Sequence, residues 1–282
     1  MHIGLTFFPT DTSISPADLA RAAEERGFES IWLAEHSHIP VGPMTPGPPP
    51  VGEPGLPREY YAAADPFVAL AMAAAVTTTL KLATGICLVP QRDVFQTAKQ
   101  VASLDLYSEG RFIFGVGGGW NQPEIENHGT PHAQRFAILW EKLAAMKELW
   151  TQEKAEYHGK YVDFGPSYAW PKPFQRPHPP IHVGGDGLRA IRRAVKHGQG
   201  WCPVIEEGVE DPVALLPEVQ KALATAGRKR EDFEVSIYFC PSDPDTVSRY
   251  RDAGIDRVMF ATPSHEKNAA LAALDSYAEF VA

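Results

Sequence analysis

The 282 residues are enough for one large barrel or two ordinary domains, and 44% hydrophobic with 22% charged residues is a globular profile, not a disordered or fibrous one. A formal net charge of −9 argues against nucleic-acid binding, which needs clustered Lys and Arg; the one basic group, Arg189, Arg192, Arg193 and Lys196, has the three-and-four spacing of a solvated helix face. No apolar run is long enough to span a bilayer, and the first residues pass into the apolar segment 3–8 without a basic segment or signal core, so the expected compartment is the cytoplasm.

In chain order, residues 2–8 read as a first strand. Ser15-Pro16 then opens a helix to Gly27, with serine as cap, proline in the first turn and glycine at the end. Strand two is 30–35, helix two 66–79, strand three 80–89, helix three 94–107 and strand four 111–116. Helix four, 134–150, carries Phe136, Leu139, Leu143, Met146 and Leu149 at helical spacing, the pattern of a core-facing stripe. A hairpin-like insertion around 157–164 follows. Four further pairs complete the chain: 180–183 with 188–197, 200–203 with 212–226, 233–239 with 243–254, and 257–261 with 265–280. Eight strand–helix pairs predict a (β/α)₈ barrel, a TIM barrel, as a single domain over residues 1–282. Cys87, Cys202 and Cys240 lie in apolar strand-like segments, are odd in number and form no CxxC, so they read as buried reduced thiols.

Two segments break the alternation. Residues 40–57 follow strand two and are rich in Pro and Gly, which suits either a lid over the active-site face or a disordered surface insertion. The insertion 152–179 joins a helix to a strand and so leaves from the opposite face.

In such a barrel chemistry collects where strands end. Strand one ends with Phe7 and Phe8, strand two with Glu35, His36 and His38, and strand three carries Thr84-Gly85-Ile86. Strand four runs into Gly117-Gly118-Gly119-Trp120, and strand five, after Val183, into Gly184-Gly185-Asp186-Gly187 ahead of a helix. Glycines there permit left-handed backbone or a ligand against the main chain, and a glycine loop at a helix N-terminus is an anion site; both runs also read as plain turns. Neither meets G-x-G-x-x-G, since Trp120 stands where the third glycine would be, and no GK[ST] follows either, which disfavours Rossmann and P-loop sites. His36-x-His38 with Asp186 could hold a metal, but strands four and eight end in residues that bind none, so no metal is expected. His36 also reads as a hydrogen-bonded structural histidine.

The chain resembles the luciferase-like monooxygenase superfamily, in particular the branch that uses the deazaflavin coenzyme F420. The resemblance runs from strand one to strand six, through Gly27-Phe-Glu-Ser-Ile-Trp32, Glu35-His36, Leu82-Ala-Thr-Gly-Ile86, Asp105-Leu-Tyr-Ser-Glu-Gly-Arg111, Gly115-Val-Gly-Gly-Gly-Trp-Asn121, Arg135, Pro179-Pro-Ile-His-Val-Gly-Gly185 and Gly200-Trp201; beyond about residue 205 it is weak. It implies a homodimeric barrel with the deazaflavin across the strand ends. It also implies a cis Gly85–Ile86 bulge behind the ring, and a cofactor groove formed by Phe7, Thr84, Gly85, Ile86, Gly117, Gly118, Gly119, Val183, Gly184 and Gly185. His36 matches the family's acid–base histidine, with Glu35 orienting it or contacting the ring. The sugar-phosphate dehydrogenase of the family has a glutamate proton donor where this chain has Trp120, so that substrate is not expected; Trp120 either shapes an apolar pocket or packs. The reaction implied is hydride transfer between F420 and a small organic substrate. The alternatives are an FMN-dependent monooxygenase working with a separate flavin reductase, and a non-catalytic cofactor-binding relative.

Overall fold

A computed structural model describes residues 1–41, 56–206 and 208–281. The strands are β1 (His2–Phe7), β2 (Ser30–Leu33), β3 (Lys81–Thr84), β4 (Phe112–Val116), β5 (Ala155–His158), β6 (Asp163–Ser167), β7 (Ile181–Gly184), β8 (Gly200–Cys202), β9 (Glu234–Ile237) and β10 (Arg257–Ala261). The helices are α1 (Pro16–Glu25), α2 (Glu59–Ala62), α3 (Pro66–Ala74), α4 (Val94–Tyr107), α5 (Gln122–Asn127), α6 (Arg135–Thr151), α7 (Gly187–His197), α8 (Pro212–Thr225), α9 (Pro244–Asp252) and α10 (Lys267–Tyr277). All strands except β5 and β6 close into one parallel barrel, in the order β1-β10-β9-β8-β7-β4-β3-β2, and β5 and β6 form a separate antiparallel hairpin. The expected (β/α)₈ barrel is therefore the fold.

Side-chain chemistry sets the helix starts. Ser15 accepts the Asp18 N–H, Asp65 those of Phe67 and Val68, Asp93 that of Gln96 and Asp243 those of Asp245 and Thr246, each satisfying backbone donors that a helix leaves unpaired. The predicted second helix stops early, at Ala74. There the chain reaches the β-branched run Val76-Thr-Thr-Thr79, and the Glu24 carboxylate collects the N–H groups of Thr78, Thr79 and Leu80. The third strand also ends early, at Thr84, because a bulge over Gly85 and Ile86 interrupts its pairing.

Strand alternation sorts side chains between two cores. Trp32, Ala83, Ile113, Cys202, Tyr238 and Met259 fill the barrel. Leu5, Phe7, Ile31, Leu33, Val183 and their like pack outward against the helices. At the amino-terminal end of the barrel Arg257, with no exposed surface, is held by Glu29 at 2.8 and 2.9 Å, Glu234 at 2.7 Å and Ser236 at 2.8 Å. This network plugs the end away from the strand termini where ligands bind.

The insertion after α6 runs along the outside of α4 and α6. Phe164 of β6 meets Phe95 of α4 at 5.1 Å, Lys172 donates to the carbonyls of Leu149 and Gln152 at the end of α6, and Gln175 binds Asp105. Most of the segment expected as a lid, 40–57, lies outside the described residues. Among the described residues no helix is long and apolar enough to cross a membrane.

Candidate active site

The segments following β1, β2, β3, β4, β7, β8 and β9 open into one cavity of about 630 Å³. It lies where the barrel order places ligands. His36 stands in its wall with only 6% of its side chain exposed, and its Nδ1 lies 2.8 Å from Oε2 of Glu124. The Glu124 side chain is wholly buried, and its other oxygen accepts the Ser37 N–H at 2.9 Å and the Ser37 hydroxyl at 3.3 Å. Asn121 creates this placement: its side chain caps α5 by accepting the Glu124 N–H at 3.2 Å, which fixes Glu124 in the first turn facing the end of β2.

Burial alone would raise the Glu124 carboxyl. The hydrogen bond and charge of His36, with the Ser37 N–H, outweigh it and hold the group below the usual carboxylate range. An anion opposite Nδ1 favours the tautomer that carries the proton on that nitrogen. Rings enclose the pair: Trp120 meets His36 edge-on at 5.4 Å, Tyr60 lies 5.6 Å from His36, and Phe8 lies 4.9 Å from Tyr60. Trp120 is thus part of the cavity wall.

The glycines act mainly through Ile86. The Gly85–Ile86 peptide is cis, as the resemblance implied. A Cβ on Gly117 would overlap Ile86 Cδ1, one on Gly184 would come within 2.8 Å of the same atom, and one on Gly115 would overlap the Thr84 carbonyl. Gly117 and Gly184 thus hollow out the seat of the Ile86 side chain while Gly115 makes room for the Thr84 carbonyl, and the segment Ile86 belongs to forms the cavity's shelf. Gly118 and Gly119 line the cavity directly, as do Gly85, Ile86, Gly184 and Gly185. A Cβ on Gly118 would meet Phe136 at 2.8 Å. Behind that ring stand Arg135, 4.6 Å from its centroid, and Arg193 at 3.6 Å. Neither has a carboxylate partner among the described residues, and Arg135 Nε is buried without a hydrogen bond.

Four expected contacts lie elsewhere. Phe7 and Val183 point into the layer between strands and helices, because side chains alternate along a strand and their neighbours Phe8 and Gly184 hold the cavity-facing places. Thr84 is fully buried and its hydroxyl donates to the Gly115 carbonyl at 2.7 Å, tying β3 to β4. Gly117 makes room for Ile86 and does not line the cavity. Glu35 lines the cavity but does not orient His36, whose partner is Glu124. Its oxygens are taken by the Leu88 N–H at 2.6 Å and by Arg92, which also binds Asp65 at 2.7 Å, so Glu35 anchors the segment after the bulge. His38 turns outward to Ser37 and Asn127, and Asp186 accepts the Val204 N–H. Among the described residues no group of three or more His, Cys, Asp and Glu is set to hold a metal ion.

Glu124, Tyr60, Phe136 with its two arginines, and Tyr238 are the site residues that sequence reasoning missed. One signal was available: Asn121-Gln-Pro-Glu124 has the spacing of a helix-start capping motif, which marks Glu124 as a first-turn carboxylate just past the glycine run.

A profile of the luciferase-like monooxygenase family matches residues 15–280. The chain belongs to the luciferase-like monooxygenase family. Within this family an uncharacterized protein of Mycobacterium tuberculosis is 39% identical over 281 residues, covering 99% of this chain and 98% of its own. An FMNH2-dependent dimethylsulfone monooxygenase of Pseudomonas putida is 33% identical over 46% of this chain and 36% of its own. Two solved structures share the fold. Monooxygenase RslO1 from Streptomyces bottropensis has a TM-score of 0.78 at 21% identity, covering 99% and 98% of the two chains. The coenzyme F420-dependent tetrahydromethanopterin reductase of Methanopyrus kandleri has a TM-score of 0.73 at 18% identity, covering 98% and 97%. Luciferase-like relatives thus include users of F420 and of FMN, and all those named for an activity are oxidoreductases or monooxygenases.

Proposed function

We propose that this luciferase-like protein is an F420-dependent oxidoreductase of a small organic substrate, with His36 as its acid–base group. The observation that carries the reading is the His36–Glu124 pair in the wall of the cavity that holds the Gly85–Ile86 shelf, together with two arginines against Phe136 that have no carboxylate partner among the described residues. The residues fit an anionic, planar cofactor. Ile86 offers an apolar shelf for a ring system, Gly118 and Gly119 present backbone to the cavity, and Arg135 and Arg193, set against the lining residue Phe136, put positive charge next to it for a phosphate. Gly185 and Gly187 hold φ values of 121° and 70°, which shape the loop into the start of α7.

When bound, a deazaflavin supplies hydride chemistry at carbon five. The chain's own part is to hold the substrate among Phe8, Tyr60 and Trp120, to exclude water there, and to give or take a proton at His36 Nε2. Glu124 fixes the imidazole and balances its charge when it is protonated. With His36→Asn, turnover should fall by about 10² to 10⁴ while cofactor still binds. Unchanged turnover with cofactor bound would refute the acid–base role. FMN would use the same groove.

The proposal extends to a homodimer and to the cytoplasm. Helix α3 is apolar on both sides: Phe67 and Leu70 face the core, while Val68 is 64% and Met72 44% exposed, beside Tyr107 of α4 at 79%. Val68→Asp should convert a dimer to a monomer in analytical ultracentrifugation; a wild-type monomer would refute it. The three cysteines are free and buried, which suits a reducing compartment.

A further inference from the structure

The cavity is electrically lopsided. Its lining carries the carboxylates Glu35, Asp186 and Glu206 and no Lys or Arg among the described residues. Arg92 neutralises Glu35. Asp186 and Glu206 have no ion-pair partner among the described residues; Asp186 makes only the bond from the Val204 N–H, at 3.0 Å, and burial raises its carboxyl for want of a cation. Glu206, an exposed residue, lines the same cavity as Tyr60, Phe8 and Trp120; burial first, and then the charges of Glu206 and Glu59, raise the Tyr60 hydroxyl. Two cations, Arg135 and Arg193, stand against the ring of Phe136, which lines the cavity next to Gly118.

A second feature points to a ligand independently of these charges. Tyr238 lines the cavity with 5% of its surface exposed, and its hydroxyl, next to Gly85, has no hydrogen-bond partner among the described residues. An unpaired buried hydroxyl costs roughly 1–3 kcal/mol unless a ligand satisfies it. An ammonium N–H would do so. The faces of Tyr60, Trp120 and Phe8 attract positive charge and repel carboxylates and phosphates, as do the two free carboxylates.

We propose that the substrate binds as an organic cation, a protonated amine with a ring-sized apolar body, with Glu206 and Asp186 as counter-ions and Tyr60, Trp120 and Phe8 as its ring contacts. It rests on the oxidoreductase reading only in calling this ligand the substrate; the binding site stands by itself. The cavity divides accordingly, with the anionic cofactor tail toward the arginines and the cation toward Glu206.

Calorimetric titration of the full chain, with and without F420, tests it using benzylammonium, benzyl alcohol and phenylacetate. Benzylammonium is expected to bind at least about tenfold more tightly than benzyl alcohol, and phenylacetate more weakly than either. Glu206→Gln, and Asp186→Asn, which keeps an acceptor for the Val204 N–H, should each reduce the preference for the cation and leave benzyl alcohol unchanged. Equal affinities for cation and alcohol, or a preference that survives both substitutions, would overturn the proposal. Adding F420 and FMN to the same samples separates the two readings. Cation binding without either cofactor would sink the oxidoreductase reading alone, and cofactor binding without cation preference would sink this one alone.

Discussion

At the scale of single residues, the site turns on a histidine that the strand pattern pointed to and a glutamate that it did not. His36 was legible because it follows the end of a barrel strand, where chemistry gathers. Glu124 was hidden because its partner lies 88 positions away, and only the folded barrel brings the start of α5 beside the end of β2. The same distance hid the fate of Glu35, whose neighbour in sequence is His36 but whose partner in space is Arg92. Removing the Glu124 charge while keeping its shape, with Glu124→Gln, should lower turnover about tenfold or more and shift its pH profile, with cofactor affinity little changed. Comparison of the profiles of wild type and variant checks this. A profile that does not move would leave Glu124 with a packing role only.

At the scale of elements, the glycine runs were visible in the sequence as lost side chains at two strand ends. What fills the space was not, because it is the Ile86 side chain from a third strand. Gly117 and Gly184 serve that residue first and the cavity through it, while Gly115 makes room for the Thr84 carbonyl. Gly117→Ala should therefore destabilise the fold by about 1–3 kcal/mol through overpacking. Ile86→Val, which removes the methyl group in the way, should cost about 0.5–1.5 kcal/mol alone. In the double variant the losses should fall well short of their sum in denaturant unfolding, since the two changes share one volume. Strict additivity would mean that Ile86 does not occupy the space above Gly117. The early end of the third strand has the same origin, since an alternating apolar run gives no sign of a bulge inside it.

At the scale of the whole molecule, the eightfold alternation of strands and helices was readable because each element carries its own period and caps. The barrel's buried charges were less so, since Glu29, His182, Glu234 and Arg257 come from four separate strands or strand starts. Burial, and then the Arg257 charge, push the His182 pKa down to about 3 from 6.5. The unfolded chain therefore binds more protons than the folded one between those values, so stability falls as pH drops from about 6.5 toward 3, by up to about 1.4 kcal/mol per pH unit. The depressed carboxylates Glu29 and Glu234 stabilise the fold above about pH 4.5 and lose that contribution only below it. A comparison of wild type with His182→Gln between pH 4.5 and 6.5 should show a shallower slope in the variant; equal slopes would mean that the imidazole titrates normally. The barrel exists to present one groove, and the measurement that tests it most directly is a fluorescence titration of the purified protein with F420 and with FMN. Saturable binding of F420, weakened at least about tenfold by Arg135→Ala with Arg193→Ala, is the expected result. Tight FMN binding with none of F420 would contradict it.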